Sequence, residues 1–242
     1  MSYIFREHIK QSLAVIAFLI TLTACTSESY DAGDGPNSYL TADLVLLHTS
    51  QDKSVRSALL DDGTTLQFSN PFAQDWLTRP DSVYRALLYY DKTVAASDAA
   101  ASNPTATSIV RARSVRPVSV LRPVEAEDME TLRTDPVGFE SLWMSKNGSY
   151  INLSLLLKSG KAEADDALHA LGIVSHGTTT DADRRRTLHL TLYHDQGGVP
   201  AYYTVQQYVS IPTQLLEEAD TIELTLNTYN GKKVVKVAGS NL

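Results

Sequence analysis

Short segments in which apolar and polar residues alternate, separated by turn residues, make up most of the chain from residue 39 onward. A two-residue period places successive side chains on opposite faces of a β-strand, so each segment has one apolar face to bury. Hydrophobic residues make up 43% of the chain, which is enough for a packed core and excludes a wholly disordered protein. The pattern therefore predicts an all-β fold.

The first part of this region, residues 39–122, contains five predicted strands and no long helical pattern. Asp61-Asp62-Gly63 lies between two of these strands and is typical of a β-hairpin. The alanine-rich segment 95–104 is expected to form an exposed loop. Five short strands suit a small barrel of the OB type or a simple meander, and we predict a five-stranded OB-like barrel over residues 39–122.

The last part, residues 136–242, alternates more regularly, in some seven segments that each have one apolar face. Ile151 and Leu153, for example, share the apolar face of one segment. Asn230-Gly231 between the last two segments is a strong hairpin signal. Strands with one apolar and one polar face are typical of two packed sheets, so this part is predicted to form an antiparallel β-sandwich.

Residues 123–135 separate the two regions and carry an acidic run from Glu125 to Glu130. Runs of like charge are usually solvated, and Pro123 and Pro136 flank this segment. We therefore predict an exposed linker over residues 123–135 between two separable domains. Limited proteolysis is expected to leave two resistant fragments.

The N-terminal segment, residues 1–24, has the features of a secretory signal peptide. Arg6 and Lys10 precede an apolar run, and the uncharged stretch from Ser12 to Ala24 has 13 residues. A transmembrane helix needs about 20 residues, so this stretch is too short to span a membrane permanently. We predict that residues 1–24 are absent from the mature protein.

The apolar run ends in Leu22-Thr23-Ala24-Cys25, which resembles the lipobox of bacterial lipoproteins. In that class the cysteine thiol receives a diacylglyceryl group, and a dedicated peptidase cuts just before it. The resemblance implies that Cys25 is the lipidated first residue and anchors the protein to a membrane. Residues 25–38 have almost no aliphatic side chains and are predicted to form a flexible tether. We expect a cell-envelope protein at the outer membrane, on its periplasmic or its surface side.

Charge and motif content exclude several functions. The formal net charge of −7 argues against nucleic acid as a partner. The chain has no Gly-x-Ser-x-Gly motif and no phosphate-binding glycine pattern, so we predict no catalytic residues, no metal and no cofactor. A zinc site of His176, His194 and Asp195 at two strand ends is weighed against ordinary hydrogen-bonded histidines, which we favour.

One strand carries the pattern most typical of a ligand surface. Tyr202, Thr204, Gln206 and Tyr208 alternate along the predicted segment and share one face. Aromatic rings stack on sugar rings and amides bond to their hydroxyls, so Tyr202, Gln206 and Tyr208 are the candidate ligand-binding residues. The alternative is an ordinary polar outer face of a sheet. Trp76 and Trp143 are interpreted as core or interface residues.

Three further segments carry a family resemblance: Gly33-Asp34-Gly35 before the first strand, the strand from Leu188 to Gly198, and Val209-Ser210-Ile211-Pro212. With the lipobox and the two β-regions, the chain resembles the NigD-like lipoproteins of Bacteroidetes. The resemblance implies an OB-like domain followed by a β-sandwich, and it implies no catalytic residues. The family name comes from a bacteriocin-associated locus, which is a hint about gene context.

These observations favour a non-catalytic binding or assembly module of the cell envelope, with a glycan or a protein as its partner. A hydrolase with a cryptic site is one alternative, because catalytic groups converge in space and not in sequence. A structural or bacteriocin-associated envelope protein is another.

Overall fold

The computed structural model describes residues 40–92, 108–161 and 168–239. These residues form fourteen strands and, within the described ranges, two short 3₁₀ turns and no α-helix. The strands are β1 (Leu40–Thr49), β2 (Val55–Leu60), β3 (Thr65–Phe72), β4 (Val83–Lys92), β5 (Ser108–Pro117), β6 (Ser119–Val120), β7 (Pro123–Glu125), β8 (Gly138–Met144), β9 (Tyr150–Ser159), β10 (Ala170–Thr180), β11 (Arg186–Asp195), β12 (Tyr203–Pro212), β13 (Thr221–Thr228) and β14 (Gly231–Ala238). The predicted signal peptide, lipidation site and tether, and the predicted loop over residues 95–104, lie outside the described residues.

Strands β1 to β5 form a closed barrel in the order β1-β2-β3-β5-β4, and β4 pairs back with β1. This confirms the predicted five-stranded barrel. β2 and β3 pair as an antiparallel hairpin around Asp61-Asp62-Gly63, as expected, and Gly63 has a φ of 88°. A positive φ costs glycine little, which explains the residue at this turn.

The barrel core follows from the two-residue period. On β1 and β4, Val45, Leu47, Ala86 and Leu88 point inward and are fully buried. Their sequence neighbours point outward, and Leu44, Arg85 and Leu87 are nevertheless buried. One outer face of the barrel is therefore covered by another part of the protein.

The cover is the sandwich, which consists of a five-stranded sheet, β14-β13-β11-β10-β7, and a four-stranded sheet, β6-β12-β9-β8. The two sheets enclose fifteen buried hydrophobic residues, among them Ile151, Leu190 and Leu224. The predicted sandwich is confirmed, and so is its last hairpin at Asn230-Gly231.

The sandwich differs from the antiparallel prediction in one respect, because three of its strand pairs are parallel. These pairs are β7 with β10, β11 with β13 and β6 with β12. The chain changes sheets between β11 and β12 and again between β12 and β13. Two changes return β13 to the first sheet in the direction of β11, which makes the two strands parallel neighbours.

The segment predicted as a linker, residues 123–135, also differs from expectation. Its first residues form β7 and pair with β10. Further along, Asp135 donates its backbone N–H to the His194 carbonyl at 2.9 Å. The acidic side chains of Glu125, Glu127 and Glu130 are exposed, as a charge run predicts, but the backbone between them belongs to the sandwich. The described residues from Leu40 onward form one compact unit.

Candidate functional site

The barrel packs against the outer face of the four-stranded sheet. Three buried residues, Leu44, Leu87 and Val118, form the centre of this junction. Three aromatic side chains pack around them: Tyr89 from the barrel, and Trp143 and Tyr208 from the sandwich. Leu44 and Leu87 face the sandwich because they alternate with inward-pointing barrel residues.

Arg85 links the two parts through its guanidinium group, and its side chain is only 1% exposed. Its Nη1 and Nη2 donate to the two carboxylate oxygens of Asp61, at 2.5 and 2.7 Å. Nη2 also donates to Oδ1 of Asn152 at 3.0 Å, and Nε donates to Oγ of Ser210 at 3.1 Å. Asn152 and Ser210 lie on β9 and β12, so one buried side chain bonds to both parts of the protein.

The partners of Arg85 also bond to one another. Ser210 Oγ donates to Asn152 Oδ1 at 2.7 Å, and Asn152 Nδ2 donates to Asp61 Oδ2 at 3.1 Å. The guanidinium carbon lies 4.4 Å from the centroid of the Tyr150 ring. A connected network of this kind offsets the desolvation of the buried charge and favours a single arrangement of its members. The junction therefore holds its two walls in fixed positions.

A cleft of about 350 Å³ opens beside this network, between the barrel and the sandwich. We call it the junction cleft and define it by six of its lining residues: Asp43, Asp62, Tyr89, Trp143, Lys146 and Tyr208. The rings of Trp143 and Tyr208 meet edge to face with centroids 6.4 Å apart. The cleft thus combines an aromatic wall with charged groups at its mouth.

Two carboxylates of the cleft have defined hydrogen-bond partners. Asp43 accepts a hydrogen bond from the Tyr90 hydroxyl at 2.8 Å. Burial, together with this bond, raises the pKa of Tyr90 well above its usual value, so the hydroxyl stays a donor. The backbone N–H of Thr64 lowers the pKa of Asp62, and Lys146, 3.9 Å away, acts in the same direction. Both carboxylates can accept bonds from ligand hydroxyls.

One carboxylate of the cleft is already bonded within the protein. Asp61 accepts two hydrogen bonds from the guanidinium group of Arg85. No group of three or more histidine, cysteine, aspartate or glutamate residues that could hold a metal occurs within the described ranges. This geometry offers a ligand two kinds of contact. It can stack on the aromatic rings and donate hydrogen bonds to the carboxylates.

The three candidate ligand-binding residues occupy different places. Tyr208 lines the junction cleft. Gln206 lies two positions away on the open face, where its Nε2 donates to Glu140 at 2.5 Å and to Ser154 at 3.0 Å. Tyr202 precedes β12 and is 79% exposed. The three residues thus lie along one face and do not share a pocket.

The contribution of Asp43, Tyr89 and Trp143 to the cleft was not expected from the sequence. They lie on three different strands, and Trp143 was interpreted as a core or interface residue. The only local indication is that Tyr89 follows Leu87 on the outward face of β4, where an exposed strand would carry polar residues.

The alternative zinc site is not assembled. His194 is 1% exposed, and its Nε2 lies 3.0 Å from Nδ1 of His169 and its Nδ1 lies 2.9 Å from the Asp135 carbonyl oxygen. His176 instead bonds to Thr191, and Asp195 pairs with Arg133. These contacts are those of ordinary hydrogen-bonded histidines, which is the interpretation that we favour from the sequence.

The His169–His194 pair makes stability depend on pH. Burial, with a contribution from His194, lowers the pKa of His169, and its buried Nε2 has no hydrogen-bond partner. The unfolded chain then takes up the proton first, so stability is complete above about pH 6.5 and is lost as the pH falls toward the lowered value. We expect the urea midpoint to fall between about pH 7.5 and pH 5. His169→Gln is expected to reduce this dependence. A His169→Gln protein with the same pH dependence as the wild type would contradict the assignment.

Comparison with known proteins gives a family match for the sandwich. Residues 120–238 match the model of the NigD-like C-terminal beta sandwich domain. A search of curated protein sequences found no significant match. The match begins at β6, which agrees with the place of β6 and β7 in the sandwich sheets. The resemblance proposed from the sequence is confirmed.

Solved structures share the fold of both parts. A NigD-like immunity protein from Bacteroides caccae is 22% identical, with a TM-score of 0.59 over 81% of this chain and 91% of that chain. A protein of unknown function from Bacteroides vulgatus is 16% identical, with a TM-score of 0.57 over 82% and 90%. A putative lipoprotein from Bacteroides fragilis is 12% identical, with a TM-score of 0.57 over 83% and 98%. None of these proteins is described as an enzyme.

Among the residues that the structure describes, no helix has the length and apolar character needed to cross a bilayer.

Proposed function

Since residues 120–238 form a NigD-like C-terminal β-sandwich domain, we propose that this protein is a cell-envelope lipoprotein that binds a glycan without cleaving it. The acylated Cys25 anchors it to the outer membrane, and the junction cleft is the binding site. The description of the Bacteroides fragilis relative as a putative lipoprotein supports the envelope location. The lipobox supports the anchor.

The chemistry of the junction cleft carries this proposal. Tyr89, Trp143 and Tyr208 supply aromatic surface, and Asp43 and Asp62 supply acceptors for hydroxyl groups. A sugar ring has an apolar face that packs on aromatic rings and an edge of hydroxyls that need hydrogen-bond partners. The Arg85 network fixes both walls before a ligand arrives, so binding loses little conformational entropy.

The polar face beyond the cleft extends the same surface. Glu140 accepts bonds from Ser154 and Gln206, and these bonds lower its pKa. Lys158 donates to Thr204 at 3.0 Å on the neighbouring strands. A glycan longer than the cleft meets acceptors and donors along this face, and Tyr202 lies at its far end.

Binding is tested with the chain that lacks residues 1–25, titrated with purified envelope polysaccharides and their fragments. Tyr208→Ala and Trp143→Ala are each expected to weaken binding by about tenfold, because a well-packed aromatic contact contributes about that much. Asp43→Asn removes a charge with little change in shape and is expected to weaken binding as well. The change in heat of binding or in intrinsic tryptophan fluorescence gives the affinity.

Tyr203→Ala is the matched control, because Tyr203 lies on the same strand, points to the opposite face and is 55% exposed. Its affinity should equal that of the wild type, and the thermal unfolding of every variant should show an intact fold. Glycan cleavage by the wild type would contradict the non-catalytic role. Equal losses in Tyr203→Ala and Tyr208→Ala would remove the cleft as the binding site.

A protein partner is the second candidate. The description of the Bacteroides caccae relative as a NigD-like immunity protein favours it. In that case, cross-linking in intact cells yields a protein adduct that Tyr202→Ala or Tyr208→Ala reduces, and no polysaccharide binds.

A further inference from the structure

A second cavity lies at the edge of the sandwich, where the β13–β14 hairpin approaches β8. It has a volume of about 480 Å³. We call it the hairpin groove and define it by Phe139, Leu156, Tyr229, Lys232 and Lys233, which line it. Both β8 and β14 are edge strands of their sheets, so the groove lies where the sandwich is open.

The charge of the groove is opposite to that of the protein. No acidic residue lines it, although the chain has a formal net charge of −7. Within the described part of the chain, Lys232 and Lys233 form no ion pair, whereas Lys236 on the same strand pairs with Glu223 at 3.0 Å. Lys233 and Lys232 follow each other on β14 and leave opposite faces of the strand, so only the Lys233 ammonium group is placed beside Phe139. A groove lined by two lysines and no acidic residue is suited to an anionic ligand.

The ammonium groups of Lys233 and Lys158 lie beside aromatic rings at the groove. Lys233 Nζ lies 4.6 Å from the centroid of the Phe139 ring. Lys158 Nζ lies 5.8 Å from the centroid of the Tyr229 ring and adds a third positive charge at the border. A cation above a ring is attracted to it but keeps its N–H donors free. Lys233 is therefore placed, with its donors free, before a ligand binds.

The hairpin itself is well defined. Gly231 has a φ of 102°, a conformation that favours glycine, and Thr228 Oγ donates to the Gly231 carbonyl at 2.7 Å. Next to the turn of the hairpin, Val137 donates its backbone N–H to the Asn227 carbonyl at 3.0 Å. These bonds fix the distance between the lysines and β8.

We propose that the hairpin groove binds an acidic saccharide, that is, a sugar carrying a carboxylate or a phosphate. The anionic group takes the free donors of Lys233, Lys232 adds a second positive charge to the lining, and the sugar ring packs on Tyr229, which is 45% exposed. The formal net charge of −7 argues against nucleic acid, because it repels a long polyanion. The site is separate from the junction cleft and does not depend on the function proposed for it.

The first experiment compares ligands by nuclear magnetic resonance titration of the chain lacking residues 1–25. Glucuronic acid and phosphorylated glucose are expected to shift the signals of Tyr229 and Gly231, and glucose is expected to shift them only at much higher concentration. Affinity should fall as salt is added, because the attraction is electrostatic. Inorganic phosphate that binds as tightly as phosphorylated glucose would overturn the saccharide assignment.

The second experiment changes charge. Lys232→Gln/Lys233→Gln is expected to weaken binding of glucuronic acid by at least about tenfold, since each charged hydrogen bond contributes about that factor. Lys53→Gln/Arg184→Gln removes the same charge from exposed sites elsewhere and should bind as the wild type does. Equal losses in the two variants would show a general charge effect and overturn the site. Thermal unfolding verifies that both variants are folded.

Two further comparisons separate the sources of the anion and the two sites. The protein is also mixed with phosphatidylcholine vesicles that contain phosphatidylglycerol. If it binds these vesicles and neither free sugar, its ligand is a lipid surface and the proposal is overturned. Trp143→Ala, in the junction cleft, should leave binding of glucuronic acid unchanged. If it abolishes that binding while the lysine variant does not, the acidic sugar occupies the cleft instead.

Discussion

Arg85→Met is expected to lower the free energy of unfolding by about 3–5 kcal/mol, the range for breaking a buried ion pair by removing one partner. Methionine fills most of the volume but supplies no donor. Asp61 then keeps a charge at the junction, with a side chain only 19% exposed, and Ser210 and Asn152 lose a donor in a buried place. Urea unfolding followed by tryptophan fluorescence measures the loss.

The control is Arg56→Met on strand β2 of the same barrel. Arg56 and Asp52 form an exposed pair at 3.7 Å, with side chains 60% and 61% exposed, so its loss should cost less than about 1 kcal/mol. Adding Asp61→Asn to Arg85→Met removes the uncompensated charge and is expected to restore part of the stability. An Arg85→Met protein as stable as Arg56→Met would show that the network does not hold the junction.

The same network bears on whether barrel and sandwich separate. The expectation of two independent fragments rested on the acidic run and its prolines, which are local features. The observed junction depends on the bonds of Arg85. Its partners Asp61, Asn152 and Ser210 are 24 to 125 residues away from it in sequence. If Arg85 holds the two parts together, its replacement should also increase proteolytic cleavage between them.

Local patterns were sufficient for most of the fold. The two-residue period identified strands with one apolar face, and the hairpins at Asp61-Asp62-Gly63 and Asn230-Gly231 follow from residues that suit tight turns. Pairing between distant strands has no such local determinant. The parallel neighbours β11 and β13, and the place of β7 in a sheet, depend on how the chain crosses between sheets, which alternation does not report.

The site was harder to predict for a related reason. Alternation placed Asn152 and Ser154 correctly on the polar face of β9, but it did not show that the barrel and Gln206 cover them. Tyr208 was identified from its strand face, whereas Asp43 and Tyr89 join it only through the packing of two β-structures. A polar position on a strand is exposed or buried according to its neighbours in space, and the neighbours of these residues are distant in sequence.

Cys25→Ala is expected to abolish incorporation of a labelled fatty acid and removal of residues 1–24. Cys25 is the only cysteine of the chain, so the variant offers no other thiol for acylation. Wild-type protein should partition into the detergent phase, since two or three acyl chains are needed for stable anchoring. The uncut variant keeps its apolar segment, so the discriminating readouts are the label and the intact mass. Thr26→Ala, one position beyond Cys25, is the matched control and should be labelled and cut normally. A Cys25→Ala protein that still takes up the label, or a wild type that never does, would remove the basis for the anchor.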